Sequence, residues 1–371
     1  MSADIRKTIS AAKQYLLTQA RRDFAETKHE MVFPHRAGFG GQKERHFSDV
    51  FARAVLACIL MDIIDMDAED EIGTATLRAI VRREADYVAQ AKLTDRAGGW
   101  SYFPDLPDLP PDLDSLASVL RLFVRAAPAY ISLCREPLQI ALDTLQSHGA
   151  LETWIIAPGD RLEDQRRMRN GIKRFWGSGV HLDVCAHFFL ALCEYDFGNY
   201  SDRIYRGARY ICDRQDSNGS WEATWYGGSA YGAFLCLSLL HKLQYGTRVQ
   251  QRAIEFLLKS QRDDGGWGIW ESVPLDTAVA IWALLQQGSD VQLDVIGRAV
   301  ACLLDYQADD GRWNPSPWIK MDVGRAHAQT THTLTYQSAT LSTAFCLRSL
   351  LLIYRGMVQR KTSPFSNSPH L

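Results

Sequence analysis

A seven-residue pattern that returns three times at one fixed spacing constrains this chain more than any other feature. Gln215-Asp-Ser-Asn-Gly219-Ser-Trp221, Gln261-Arg-Asp-Asp-Gly265-Gly-Trp267 and Gln307-Ala-Asp-Asp-Gly311-Arg-Trp313 superimpose without a gap, 46 residues apart both times. A period of that size marks a supersecondary unit that cannot bury its apolar face alone and stacks on its own copies. Fainter copies precede these. Gly98-Gly99-Trp100 keeps the Gly and the Trp, the stretch from Gln146 through Gly149 to Leu151 keeps the Gln and the Gly, and Gln19 closes the first helical stretch. The chain therefore reads as six units.

In each unit a polar-faced helix ends at the Gln, a Gly-containing turn follows, and a more apolar helix comes next. The first helices fall near 4–20, 74–92, 131–147, 201–215, 248–261 and 293–307. Tyr205, Ala208, Ile211 and Cys212 recur at helical spacing with Arg and Asp between them, which is the one-sided stripe of an outer helix. The second helices fall near 49–64, 114–126, 183–196, 229–244, 276–286 and 338–355. Stretches such as His187-Phe-Phe-Leu-Ala-Leu-Cys193 are apolar nearly all round, as helices covered on both sides must be. Six such pairs closing on themselves give an all-α (α/α)6 barrel. It takes up residues 1–356 as one domain, and the Ser/Pro-rich stretch 357–371 reads as a disordered tail.

Composition agrees with a buried core and excludes some partners. With 46% hydrophobic residues and a formal net charge of −2, the chain has no basic stripe for nucleic acid. The N-terminus shows no signal peptide. The longest nearly apolar run, Ala54–Ile64, is shorter than the ~18–20 residues a bilayer span needs. The eight cysteines form no CxxC pair and sit mostly in apolar helical text, as reduced core residues do, so a cytoplasmic location is expected. The inner-to-outer links are short, whereas the outer-to-inner links near 21–48, 94–113, 152–182 and 308–337 are long and emerge on one rim. Long loops on one face of a rigid scaffold usually carry the function, so the site is expected there.

The Gln-xxx-Gly-x-Trp element resembles the QW motif of the squalene–hopene cyclase and terpene cyclase superfamily, whose barrel is shared by protein prenyltransferase β subunits. The resemblance runs over essentially the whole chain and implies a single-barrel member. The Gln amide can cap helix-end groups while the Trp ring covers the turn, tying outer to inner helices, so these residues are read as structural.

Inner helices open on acids at Asp49, Asp114, Asp183 and Asp276, with Ser229 and Ser338 near the equivalent place in the other two. Side chains of this kind cap free helical N–H groups. Asp114 has company, because Pro110-Pro111-Asp112-Leu113-Asp114-Ser115 sets two carboxyls two residues apart. Two carboxyls in a dry pocket resist ionising together, so one proton is retained near neutrality. The stretch resembles the DxDD motif of class II terpene cyclases, in which the middle Asp protonates an alkene or epoxide. That resemblance makes Asp114 the general acid and Asp112 its partner, with Ser115 standing where the motif has its last Asp. Asp276 keeps only the motif's final acid and joins the candidate substrate contacts.

Aromatic residues crowd the same rim: Trp100, Tyr102, Phe103, Trp176, Trp225, Tyr226, Trp270 and Trp318. Their π faces suit an isoprenoid chain and a migrating carbocation. Arg166, Arg167, Arg169 and Lys173 in the 152–182 link suit a diphosphate, which would bring Mg²⁺ with it. Asp183-Val-Cys185 resembles the zinc-binding Asp-x-Cys of protein prenyltransferases. The place of their third ligand offers Ser342 rather than His, and catalytic zinc takes three protein ligands, so no metal site is expected.

These observations lead to a class II-type terpene cyclase-like enzyme, an isomerase that cyclises a linear isoprenoid by protonation. A prenyltransferase-type enzyme or subunit and a non-catalytic isoprenoid-binding scaffold are the alternatives. Cyclases of the resembled type build their cavity between two barrels. A lone barrel therefore uses its own interior, a second copy, or a partner subunit to complete the pocket.

Overall fold

The computed structural model describes residues 2–32, 45–67, 70–94, 96, 98–106, 109–157, 163–175, 179–286, 293–323 and 332–362. Its elements in chain order are α1 (Ser2–Arg21), β1 (His29–Val32), β2 (Arg45–Ser48), α2 (Val50–Met66), α3 (Glu71–Gln90), α4 (Leu113–Ala126), α5 (Arg135–Asp143), α6 (Glu163–Phe175) and α7 (Leu182–Asp213). After these come α8 (Ser229–Lys242), α9 (Thr247–Lys259), α10 (Pro274–Leu285), α11 (Leu293–Asp305), β3 (Ser316–Val323), β4 (His332–Ser338) and α12 (Ala339–Thr362).

The apolar helices form a closed ring. α2 packs on α4, α4 on α7, α7 on α8, α8 on α10, α10 on α12, and α12 returns to α2. The fold is the expected (α/α)6 barrel. The boundary between the third and fourth units is hidden, because α7 runs from the inner helix of the third into the outer helix of the fourth and bends at Asp196, whose backbone leaves the helical region. The Asp196 carboxylate accepts from the Asn199 backbone N–H, so the acid caps the outer half. The expected outer helix at 131–147 is shorter, with a 3₁₀ stretch, Pro128–Cys134, leading into α5. At the other end, α12 continues to Thr362, past the expected tail boundary, and 363–371 lie outside the described residues.

The repeated motif does something different from what its sequence suggests. Each Gln amide donates to the Gly carbonyl of its own turn and to a carbonyl in the first turns of the next outer helix. Gln215 reaches Val249 at 2.9 Å, Gln261 reaches Val295 at 2.8 Å, and Gln307 reaches Thr8 at 3.0 Å. It lashes outer helix to outer helix rather than outer to inner, and Gln307 closes the ring onto α1. The Trp side chain supplies the second tie: Trp221, Trp267 and Trp313 donate their indole N–H to Ile211, Leu257 and Leu303 of the preceding outer helix. The glycines have no substitute. Gly219, Gly265 and Gly311 hold φ of 93°, 90° and 86°, and a Cβ at each would overlap a backbone carbonyl of the neighbouring outer helix.

Two of the long links are not plain loops. The first carries the antiparallel hairpin β1–β2 and the last carries β3–β4. The β3 strand also bridges Ile319 to Tyr226, so the last link lies across the link of the fourth unit, 214–228, on the same rim. All eight cysteines are free, and seven are buried. Among the described helices, α12 is long and apolar enough to cross a membrane over Ala339–Gln359, but it is an inner stave packed between α10 and α2.

Candidate active site

The rim links pair with one another, and a cavity lies between them. The mouth of α4 is gripped by the third link, where Leu113 N–H donates to Thr153 O and Ile155 N–H donates to Pro111 O, both at 2.8 Å. Beneath these links sits a cavity walled by Phe51, Tyr102, Phe103, Trp154, Trp225 and Met321, with Asp112 and Asp114 as its acids. Its free volume is about 50 Å³ inside about 560 Å³ of atom-free space.

The two acids have different partners. Asp112 is the N-cap of α4, accepting from Ser115 N–H at 2.7 Å and from the Ser115 hydroxyl at 2.9 Å. Ser115, which departs from the resembled motif, thus serves as the donor that fixes Asp112. Burial first, then the neighbouring Asp114 charge, push the Asp112 carboxyl up to about 7. Asp114 lies one turn-step inside the helix and does not cap it. Its Oδ1 is 2.5 Å from His187 Nδ1, and its Oδ2 accepts from the Tyr226 hydroxyl. The Tyr226 O–H, together with His187 Nδ1 in the tautomer that carries its proton there, is thus placed to hold a negative charge on Asp114.

Of the four inner-helix acids only Asp183 accepts from a first-turn helical N–H among the described residues, that of Val184 at 3.0 Å. Asp49 occupies the N-cap position of α2 but makes no side-chain cap bond, and it accepts from the Tyr87 hydroxyl at 2.8 Å instead. Asp183 is fully buried and accepts from Thr224 and Trp225 N–H at 2.7 and 2.9 Å, pinning the fourth link to the mouth of α7. Burial raises its carboxyl to about 7. Asp276 is buried against Gly228, has no hydrogen bond among the described residues, and does not line the cavity. Burial raises it to about 7.

The expected aromatic ring splits. Tyr102, Phe103 and Trp225 line the cavity. Tyr226 stands behind the wall as the donor to Asp114, and Trp318 is buried behind it, stacked on Phe51 at 5.4 Å. Trp100 is structural, its indole donating to Val88 O at 2.8 Å. Trp270 is 89% exposed and faces solvent, away from the cavity. Trp176 lies outside the described residues. The basic cluster sits on α6, where Arg166, Arg167 and Lys173 are exposed and none of the four lines the cavity. Arg169 is half-buried and donates to Ala157 O at 2.6 Å. The Asp183–Cys185 pair is engaged elsewhere: the acid by backbone N–H groups, and the thiol, pushed up to about 12 by burial, by Leu151 O.

Sequence reasoning missed three parts of the site. Trp154 packs edge-on against Trp225 at 5.7 Å and completes the wall. Tyr226 was expected as a substrate contact, and His187 only as part of an apolar inner helix. The His187 ring is instead paired with the acid itself. The sequence signal for it was faint: a His one helical turn after Asp183, on the inner helix beside the one that carries Asp114.

Residues 179–331 match the squalene–hopene cyclase C-terminal domain. The whole barrel superimposes on the type II terpene cyclase MstE from Scytonema with a TM-score of 0.70 and 18% identity, over 95% of this chain and 99% of that one. In sequence and in fold the chain is thus similar to terpene cyclases. Its relatives by sequence include the terpentedienyl-diphosphate synthase of Kitasatospora griseola, 28% identical over 135 residues, which are 34% of this chain and 26% of that protein. The probable squalene–hopene cyclase of Sinorhizobium fredii is 26% identical over 148 residues, 36% of this chain and 23% of that one. The matched stretch spans about a quarter of the length of these curated relatives. The domain match in this terpene cyclase-like barrel starts at residue 179, so Asp112 and Asp114 lie outside it and rest on their own geometry.

Proposed function

We propose that this chain is a class II-type cyclase that protonates an alkene of a linear isoprenoid and lets the resulting cation close rings. The observation that carries this reading is Asp114, held by His187 and Tyr226 at the wall of an aromatic, nearly apolar cavity. Protonating an alkene leaves a carboxylate in a dry site, which is costly unless hydrogen bonds receive the charge. The His187 N–H and the Tyr226 O–H are already in place to do so and need no reorganisation. Tyr102, Phe103, Trp154 and Trp225 then offer π faces to the cation. Asp112 fixes the first turn of α4 and, while protonated, spares Asp114 a second negative charge.

A prenyl substrate agrees with the relatives, several of which are named as diphosphate synthases. It also agrees with the MstE variant solved with geranylgeranyl dihydroxybenzoate as substrate. No Lys or Arg is among the described residues lining the cavity. The polar head group therefore stays at the mouth while the chain lies inside, and Mg²⁺ enters only as the companion of a diphosphate. The test incubates the full chain with farnesyl and geranylgeranyl diphosphates and Mg²⁺, beside Asp114→Asn, followed by mass spectrometry of the dephosphorylated products. A cyclic product that vanishes in the variant is expected. Unchanged substrate with both proteins would remove the stand-alone cyclase for these substrates.

A further inference from the structure

A cyclisation that is opened by protonation and ends in an alkene must give a proton back, and the cavity wall carries a proton-handling pair that no motif marked. Tyr102 lines the same cavity as Asp114, and its hydroxyl lies 2.9 Å from Nδ1 of His29 on β1. His29 is 5% exposed, and its ring is fixed by stacking on Tyr336 of β4 at 4.4 Å. Phe103 and Tyr102 flank it, each at 5.7 Å. Burial among these rings pushes the imidazole down to about 4, so it stays neutral with a lone pair free to accept. Burial likewise raises the Tyr102 phenol, which keeps its O–H and, with the imidazole proton on Nε2, donates it to Nδ1.

The other candidates in the wall are already engaged. Thr153 also lines the cavity, and its hydroxyl is 2.7 Å from His181 Nδ1. That same nitrogen accepts the Trp225 indole N–H at 3.0 Å, a group that can only donate, so His181 positions Trp225. Asp112 is held twice by Ser115 and lies two residues from the acid, whereas the positive charge moves away from the protonated end as rings close.

The geometry points to Tyr102, backed by His29, as the group that ends the reaction by deprotonating the cyclised cation. The C–H bond beside the cationic carbon breaks, and its electron pair becomes the C=C bond of the product. The proton goes to the Tyr102 oxygen while the original phenolic proton passes to His29 Nδ1. Asp114 has lost one proton and His29 has gained one, so the isomerisation is proton-neutral. When the product leaves, solvent takes the proton from His29 and restores the one on Asp114. Tyr102 is the catalytic group, and His29 acts through it.

This inference rests on the cyclase reading, and the experiment tells the two apart. Wild type, Tyr102→Phe and His29→Asn are incubated with geranylgeranyl diphosphate and Mg²⁺, and both consumption and product composition are measured. Loss of a terminating base should leave consumption within about tenfold of wild type. The main alkene should give way to double-bond isomers and water-quenched alcohols. An active wild type with unchanged product ratios in Tyr102→Phe overturns the pair alone. Complete loss of consumption in a variant whose unfolding temperature is unchanged also overturns it, because termination follows the committed step. A wild type that converts nothing removes the cyclase reading and the pair with it. As a check that needs no turnover and covers a variant that fails to fold, NMR of the wild-type imidazole should show His29 neutral well below the ordinary 6.5. Titration near 6.5 would sink the pair.

Discussion

Asp114 and Asp276 stand in the first turns of α4 and α10, corresponding places in two copies of one repeat, and their partners differ. Asp114 meets a histidine from the next inner helix, a tyrosine from the fourth link, and a cavity. Asp276 meets the backbone of Gly228 and apolar surroundings. Both are buried. On the proposed cyclase reading, what would separate a reactive carboxyl from an inert one is the pair of partners that can receive its charge, and these come from elements far away in sequence. The repeat supplies the position, and the neighbours supply the chemistry.

Substitution should break that symmetry most sharply at the acids themselves. Asp114→Asn is expected to lower cyclisation by about 10²–10⁴-fold with the fold intact, whereas Asp276→Asn should stay within about twofold. Equal losses at both positions in a product assay would erase the distinction. Next come the donors. Tyr226→Phe and His187→Ala should each slow turnover by roughly tenfold to a hundredfold, since each removes one bond to a developing charge of about 1.5–3 kcal/mol. The effect belongs in kcat more than in KM, and a pure KM effect would move these residues to substrate binding.

Stability separates the two acids in the opposite sense. Asp112, Asp183 and Asp276 all have folded-state values near 7, raised by burial. The native protein then holds protons that the unfolded chain releases above about 4, so stability falls as pH rises from about 4 through 7. Asp276 contributes with no hydrogen bond to offset its burial among the described residues, so Asp276→Asn should flatten that slope and raise the unfolding temperature at pH 8. An unchanged slope in thermal melts at pH 5, 6.5 and 8 would count against it. The smallest effect lies in the outer ring. Gln261→Ala removes bonds to Gly265 O and Val295 O and should cost about 1–3 kcal/mol, read as a lower melting temperature with the product unchanged.

The barrel was legible because its repeat is exacting. A Gly at φ near +90° against a neighbouring carbonyl admits no other residue, so the motif kept its Gly at a fixed spacing. The amide's second bond was hidden, because nothing in the Gln215 turn names Val249 as its partner. At the site, Asp112 and Asp114 were readable from their spacing, and Tyr102, Phe103 and Trp225 from crowding near the rim. Trp270 belonged to the same crowd and points to solvent. Composition places an aromatic residue on a rim, but the turn of a single loop decides which way it faces.

By itself, then, the sequence determined the six-unit ring, the rim that would carry the site, and the pair of carboxyls at the mouth of α4. These follow from periodicity and from local backbone demands, which act within one repeat. Tertiary structure alone decided that His187 and Tyr226 hold Asp114, that Trp154 completes the wall, and that His29 backs Tyr102. Such contacts join residues some seventy to more than a hundred positions apart. They arise when the ring closes and the long links fold across one another, and no local pattern carries that information.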